Sequence, residues 1–190
     1  MNDKLYIVMP AYNEVANIRN TIKQWYEVVE KTGSESRLVI VDDGSTDDTY
    51  EVMIQLKEQF PQFIALSKPN SGHGGTCKFA YEYAISEGAD YIFQTDSDGQ
   101  TNPEEFWDFW RKRKEFDFII GVRRKRQDGF SRIIVTKTLM MVVWLIFGVK
   151  VKDSNTPFRL MNAKKLNSIL AVIPDGFFLT NVIISMIVVK

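Results

Sequence analysis

The sequence predicts an α/β fold in which a mostly parallel sheet carries helices on both faces. Three observations predict it. Short, almost continuously apolar segments alternate with longer segments of helical periodicity, and the loops between them are short. The 190 residues suit one such domain with a substantial core, not two comfortable ones. Hydrophobic residues at 45% and charged residues at 25% are ordinary globular composition, which excludes both a disordered chain and a membrane bundle.

The elements follow in order. Leu5 to Met9 reads as a first buried strand, ended by Pro10-Ala11-Tyr12-Asn13. Asn13 is read as the cap of a helix whose apolar face is Val15, Ile18, Ile22, Trp25, Tyr26 and Val29, with Gly33 as its stop. Leu38 to Val41 is a second strand delivering Asp42-Asp43-Gly44-Ser45, followed by a helix from about Asp47 to Gln59. A third strand near Ile64 to Leu66 leads into the glycine-rich loop from Pro69 to Gly75 and then a helix stopping at Gly88. Tyr91 to Thr95 is a fourth strand ending in Asp96-Ser97-Asp98. Pro103 opens a helix over Glu104 to Lys114. Asp117 to Gly121 is a fifth strand.

Beyond it the alternation loosens into a basic loop, an apolar helix at Ile133 to Val149, and Asp153 to Arg159. The chain is read as one domain over 1–190, with a ligand-binding part to about 122 and an acceptor-side part from about 123. The apolar run Val182 to Val189 reaches almost to Lys190, and the element is expected to continue in a longer protein.

Charge and cysteine narrow the function classes. Lys plus Arg equals Asp plus Glu, 24 of each, so global charge attracts no nucleic acid, and any polyanion needs a local cluster or a metal. Cys77, the single cysteine, rules out an intramolecular disulfide framework and fits a reducing, cytoplasmic compartment. Ile133 to Val149 is short of the ~20 residues a spanning helix needs and carries Lys137. It is read as a buried helix first and as an interfacial membrane helix second.

In an open α/β sheet, ligands bind outside the carboxyl ends of the strands. Here those ends carry Pro10 to Glu14, Asp42 and Asp43, Asp96 and Asp98, and Gly121 to Arg124. Asp96 and Asp98, at i and i+2 of an extended segment, can face one ion. Their hard oxygen ligands suit Mg²⁺ or Mn²⁺ held jointly with substrate phosphates. Asp-Ser-Asp-Gly is also ordinary turn chemistry. Asp42 and Asp43 can accept hydrogen bonds from a base or ribose, since Ser45, Thr46 and Asp47 already suffice to cap the next helix. No Walker pattern follows Gly72, Gly74 and Gly75, and no dinucleotide fingerprint follows the first strand. Phe106, Trp107, Phe109 and Trp110 read as core and rim aromatics of one helix.

Val8-Met9-Pro10-Ala11-Tyr12-Asn13-Glu14, Val41-Asp42-Asp43-Gly44-Ser45-Thr46-Asp47-Asp48-Thr49 and Thr95-Asp96-Ser97-Asp98-Gly99-Gln100 resemble, in order and spacing, the family 2 glycosyltransferases. The resemblance implies a GT-A fold, an inverting transfer from a nucleoside-diphosphate sugar, and roles for the matching positions. Pro10, Tyr12 and Glu14 would line the nucleotide pocket, and Asp43, with Asp42, would read the base. Asp96 would contact ribose or metal, Asp98 would hold the metal bridging the diphosphate, and Gln100 would assist it.

Gln100, Gly121-Val122-Arg123 and Asp153 to Arg159 look like the polyprenol-phosphate branch, although Asn155-Thr156-Pro157 departs from its polar-Ser-Gly. A polyprenyl-phosphate acceptor at a membrane surface would be met by Arg123, Arg124, Arg132 and Arg159, with Arg123 acting at the reaction centre. A glycan hydroxyl is the second acceptor and would need a base. Neither His73 nor Asp175 is assigned that role; His73 is read as a backbone or phosphate contact. A sugar nucleotidyltransferase would want a Gly-x-Gly-Thr-Arg loop, and a non-catalytic binding module would not need the intact Asp96/Asp98 pair.

Overall fold

The computed structural model describes residues 3–122, 156–174, 177 and 179–188. The basic run Arg123 to Arg126, Arg132, the apolar segment Ile133 to Val149, Asp153 to Asn155 and Asp175 lie outside the described residues.

The elements are β1 (Leu5–Ala11), α1 (Ile18–Thr32), β2 (Arg37–Asp42), α2 (Thr49–Lys57), β3 (Phe63–Ser67), α3 (Gly72–Ser86) and β4 (Tyr91–Gln94). A short 3₁₀ turn (Pro103–Glu105), α4 (Phe106–Arg111), β5 (Phe118–Ile120), β6 (Arg159–Asn162), α5 (Ala163–Leu170) and α6 (Thr180–Val188) complete them. The six strands form one sheet in the order β3-β2-β1-β4-β6-β5. Strands β1 to β4 are parallel, and β6 runs antiparallel to both β4 and β5. β5 therefore shares the direction of β1, and its carboxyl end joins theirs as expected.

Alternation along β1 divides the core. Leu5, Ile7, Met9 and Ala11 face α1, where they meet Trp25, Ile22 and the α4 aromatics. Tyr6 and Val8 face α3, α5 and α6 with Cys77, Ala80, Tyr81 and Leu166. Every residue of β1 is buried, as the central strand of a sheet covered on both faces must be. On the α1 side, Phe93 packs edge-on to Phe158 at 4.7 Å and to Phe106 at 5.0 Å. Such contacts each add about 1 kcal/mol beyond the area buried. Of the α4 aromatics Phe106 is thus core, with Trp107, Phe109 and Trp110 packed at its rim.

Three expectations are corrected. Asn13 is not a helix cap: its φ of 56° is left-handed, and α1 begins at Ile18. Its Oδ1 accepts from Thr46 N at 2.8 Å, and its N donates to Ser45 Oγ at 2.9 Å, so Asn13 ties the β1 loop to the β2 loop and leaves Val15 exposed. The helix expected over Glu104 to Lys114 is a 3₁₀ turn capped by Asn102 followed by a six-residue α4. Finally, Arg159 to Asn162, left unassigned in sequence, is a strand inserted between β4 and β5.

Candidate donor-binding cleft

The strand order reverses at β1. The chain leaves β1 for β2 and β3 on one side, then crosses to β4 on the other. Crevices form at such points because successive connections depart in opposite directions. Here the crevice is a cleft of about 450 Å³ lined by Pro10, Ala11, Tyr12, Glu14, Asp43, Asn70, Gly72, His73, Asp96, Ser97 and Asp98.

Backbone ladders continue past the strands and fix its rim. Asp43 N donates to Ala11 O at 2.8 Å, Thr95 N to Val8 O at 3.1 Å, and Ser97 Oγ to Pro10 O at 2.8 Å. Gly44, at φ 69°, lies against the β3 loop; a Cβ there would stand 3.0 Å from Asn70 N. That close approach brings Asn70 to the cleft, where its Nδ2 donates to Asp43 O at 2.9 Å.

The two acids after β2 divide their work. Asp43 reaches the cleft, pairs with Lys68 and accepts from Ser71 N at 2.9 Å. Burial pushes its carboxyl up, but the hydrogen bonds from Lys68, Ser71 and Thr76 outweigh that effect and hold it below the usual range. Asp42 does not line the cleft. It is 2% exposed and accepts from Ser45 N at 3.3 Å and Ser67 Oγ at 3.2 Å, so it holds the turn instead of reading a base. Asp47 caps α2, accepting from Thr49 N at 3.0 Å, and also from Val15 N at 3.3 Å. Asp42 is taken up by Ser45 N and Ser67 Oγ, and the expectation of a free Asp42 is corrected on that ground.

Asp96 and Asp98 both line the cleft and are both partly exposed. Asp98 Oδ1 accepts from Gln100 N at 3.0 Å across a turn that Gly99 makes at φ 74°. Gln100 itself lines a separate groove of about 430 Å³ with Gln24, Glu27, Lys31 and Trp107 and is not part of the cleft lining, so the structure does not gather it with the cleft acids as its reading as a metal ligand expected.

Among the described residues, no group of three or more His, Cys, Asp or Glu encloses a metal ion. Two partly exposed carboxylates lining one cleft nonetheless fit Mg²⁺ or Mn²⁺, which usually take one or two carboxylates and complete their shell with phosphate oxygens and water.

His73, on the first turn of α3, reaches Asp96 Oδ1 with Nε2 at 3.1 Å. The Cys77 sulfur, 3.8 Å from Nδ1, and the Asp96 carboxylate raise the imidazole above its ordinary range, against the opposing effect of burial. The sequence reads His73 as a backbone or phosphate contact, and its partner here is Asp96; Asn70 and Lys68 are not read from it as site residues. The glycine-rich loop from Pro69 to Gly75 is the signal for Asn70, and Lys68 directly precedes it; the β2–β3 pairing puts both beside Asp43.

Arg159 requires the largest correction. It is 0% exposed, and its guanidinium donates to Thr156 O at 2.7 Å, Asn181 O at 3.0 Å and Ser185 Oγ at 2.8 Å. A fully buried Arg joining β6 to α6 is a structural tie, not an acceptor ligand. Arg123, Arg124 and Arg132 lie outside the described residues.

Comparison with known proteins bears on the fold and the family. A 29% identical relative, the UDP-N-acetylglucosamine–dolichyl-phosphate N-acetylglucosaminyltransferase of Methanococcus voltae, aligns over 87% of this chain and 72% of its own. The undecaprenyl-phosphate 4-deoxy-4-formamido-L-arabinose transferase of Salmonella paratyphi B is 27% identical over 82% of this chain and 48% of its own. The chain thus spans about half the length of that second relative. Glucosyl-3-phosphoglycerate synthase from Mycobacterium tuberculosis, solved with Mn²⁺ and UDP-glucose, superposes with a TM-score of 0.64 at 19% identity, over 87% of this chain and 58% of its own. The sequence profile of glycosyl transferase family 2 matches residues 6–183. The chain is a GT-A-fold enzyme that belongs to glycosyl transferase family 2.

Proposed function

We propose that this enzyme transfers a sugar from a nucleoside diphosphate to a polyprenyl phosphate, using Mg²⁺ or Mn²⁺. The observation that carries the reading is the convergence of Asp43, Asp96 and Asp98 on one cleft at the sheet's switch point. Asp43, fixed by Lys68, presents acceptor oxygens at the end of the cleft formed by β2 and the β3 loop, where a nucleobase or ribose donor group would pair. Tyr12, 49% exposed, supplies a ring face beside it. Asp96 and Asp98 hold the diphosphate end through the ion, which would neutralise charge on the departing nucleoside diphosphate.

An acceptor phosphate is already anionic at neutral pH, so its oxygen attacks the anomeric carbon without a base. The bond from that carbon to the new phosphate forms as the bond to the donor diphosphate breaks, and no proton changes hands. The Methanococcus and Salmonella relatives, whose names specify dolichyl- and undecaprenyl-phosphate, support this acceptor class. Arg123, Arg124 and Arg132 are proposed as its cationic partners, with Arg123 nearest the reaction centre; the segment from Ile133 to Val149 is proposed as its contact with the cytoplasmic membrane face.

Calorimetric titration of UDP, GDP, UDP-glucose and GDP-mannose, with Mn²⁺ and then with excess chelator, tests the donor half. Binding of one nucleotide series on the order of 8 kcal/mol, abolished by chelation, is expected. A folded chain that binds none of them refutes it. Transfer of radiolabelled sugar to undecaprenyl phosphate, against a soluble glycan, tests the acceptor half.

A further inference from the structure

Asp96 is held by side chains from two other places in the fold, and a third stands behind both. Gln94, at the end of β4, directs Nε2 to Asp96 Oδ1 at 3.4 Å. His73 of α3 reaches the same oxygen at 3.1 Å. Both arms lead back to Asn181 of α6, which is 2% exposed. Its Nδ2 donates to Gln94 Oε1 at 3.2 Å, and the same nitrogen stands 3.9 Å from Cys77 Sγ, which lies 3.8 Å from His73 Nδ1. Asn181, Gln94, Asp96, His73 and Cys77 therefore close a ring.

Its polarity is set by one proton. Tyr81 OH is 2.7 Å from Asn181 Oδ1 and 3.4 Å from Gln94 Oε1, and a hydroxyl has a single proton to give. The shorter contact takes it. Asn181 Oδ1 is then the acceptor, Asn181 Nδ2 must face Gln94 Oε1, and the Gln94 N–H is left aimed at the Asp96 carboxylate.

We propose that Asn181 is a positioning residue for Asp96, its side-chain amide setting the direction of the hydrogen bonds that orient this carboxylate. The inference rests on the reading of Asp96 as a donor-site ligand. It extends the site to a helix whose own residues do not line the cleft.

Three variants test it. Asn181→Asp keeps the shape but exchanges the donor group for an acceptor, so the Gln94 amide turns and points its carbonyl at Asp96. Gln94→Met deletes the donor at similar length. Ser185→Ala loosens the same helix through the Arg159 contact and through the hydrogen bond its Oγ donates to the Asn181 backbone carbonyl at 2.8 Å, while leaving the side-chain bonds of the ring in place. Two readouts are independent of turnover. The imidazole ¹H–¹⁵N correlation of His73, the single histidine of the sequence, reports its contact with Asp96. Titration of Mn²⁺ in the presence of UDP or GDP reports the donor site.

Asn181→Asp and Gln94→Met are expected to shift the His73 ring signals and to weaken Mn²⁺–nucleotide binding about tenfold or more, as loss of a group orienting a metal ligand does. Ser185→Ala is expected to lower the thermal midpoint and leave both readouts at wild-type values. The proposal is overturned if folded Asn181→Asp or Gln94→Met leaves both readouts unchanged, or if Ser185→Ala moves them equally. Should Asn181→Asp not fold, Gln94→Met decides alone. If the wild-type chain binds neither UDP nor GDP with Mn²⁺, the donor-site reading fails, and the His73 signals decide whether the ring orients Asp96.

Discussion

Asp96 and Arg159 occupy the same edge of one sheet, on neighbouring strands, yet one is a partly exposed cleft residue and the other is wholly buried. Gln94 of β4 pairs in register with Arg159 of β6, so Asp96 lies only two residues beyond that pairing. The difference comes from what packs above each. Past β4 the chain turns through Ser97 and Gly99 and leaves the Asp96 carboxylate on a cleft wall. Above β6 sits α6, whose carbonyl and hydroxyl groups take up the guanidinium. A charge at a strand end stays on a cleft wall or becomes a buried tie according to the partners the next element offers.

The largest effect that would break this comparison is on stability. Arg159→Met, followed by urea unfolding, is expected to cost about 3 kcal/mol, because buried oxygens that lose their donor cost about 1–3 kcal/mol each. A loss under 1 kcal/mol, with acceptor use impaired, would return Arg159 to the ligands. Asp98→Ala should do the opposite. It is expected to leave unfolding within about 0.5 kcal/mol of wild type while weakening Mn²⁺-dependent nucleotide binding about 100-fold, or about 2.7 kcal/mol.

The two acids after β2 sharpen the point. Asp43→Asn is expected to weaken nucleotide binding about tenfold. Asp42→Asn is expected to lower stability by about 1 kcal/mol through the Ser45 and Ser67 hydrogen bonds, with affinity unchanged. Equal affinities for the two variants would remove the distinction drawn here.

Asp43 also predicts a pH dependence. Its carboxyl is lowered in the folded chain, so its ion pair contributes stability above the unfolded carboxylate range and loses it as pH falls through the depressed value. The stability difference between wild type and Asp43→Asn, on the order of 1 kcal/mol, should hold from pH 7 to about 5 and shrink below about 4. The smallest effect belongs to Gln100→Ala, since Gln100 lines the other groove. It is expected to change Mn²⁺-dependent binding by less than about twofold.

Sequence determined the β1 to β4 framework of this protein, because buried parallel strands are apolar throughout and the helices between them carry their own period and stops. Gly33, Pro103 and Asn102 act where local chemistry puts them. It also determined which acids gather at the carboxyl edge, since strand ends in a parallel sheet share one edge by construction. The resemblance of its three motifs to family 2 glycosyltransferases, which the comparisons bear out, covered the same region.

Tertiary structure alone decided the rest. β6 escaped notice because its four residues follow a loop-like stretch, and only pairing with β4 and β5 makes them a strand. Asn13, Asp42 and Arg159 each took hydrogen-bond partners from a segment at least three residues and up to 33 residues away. The ring from Asn181 to Asp96 spans 87 residues between Asn181 and Gln94. Local propensity is written in neighbours along the chain, whereas the partner of a buried polar group is chosen by whichever element the fold lays against it.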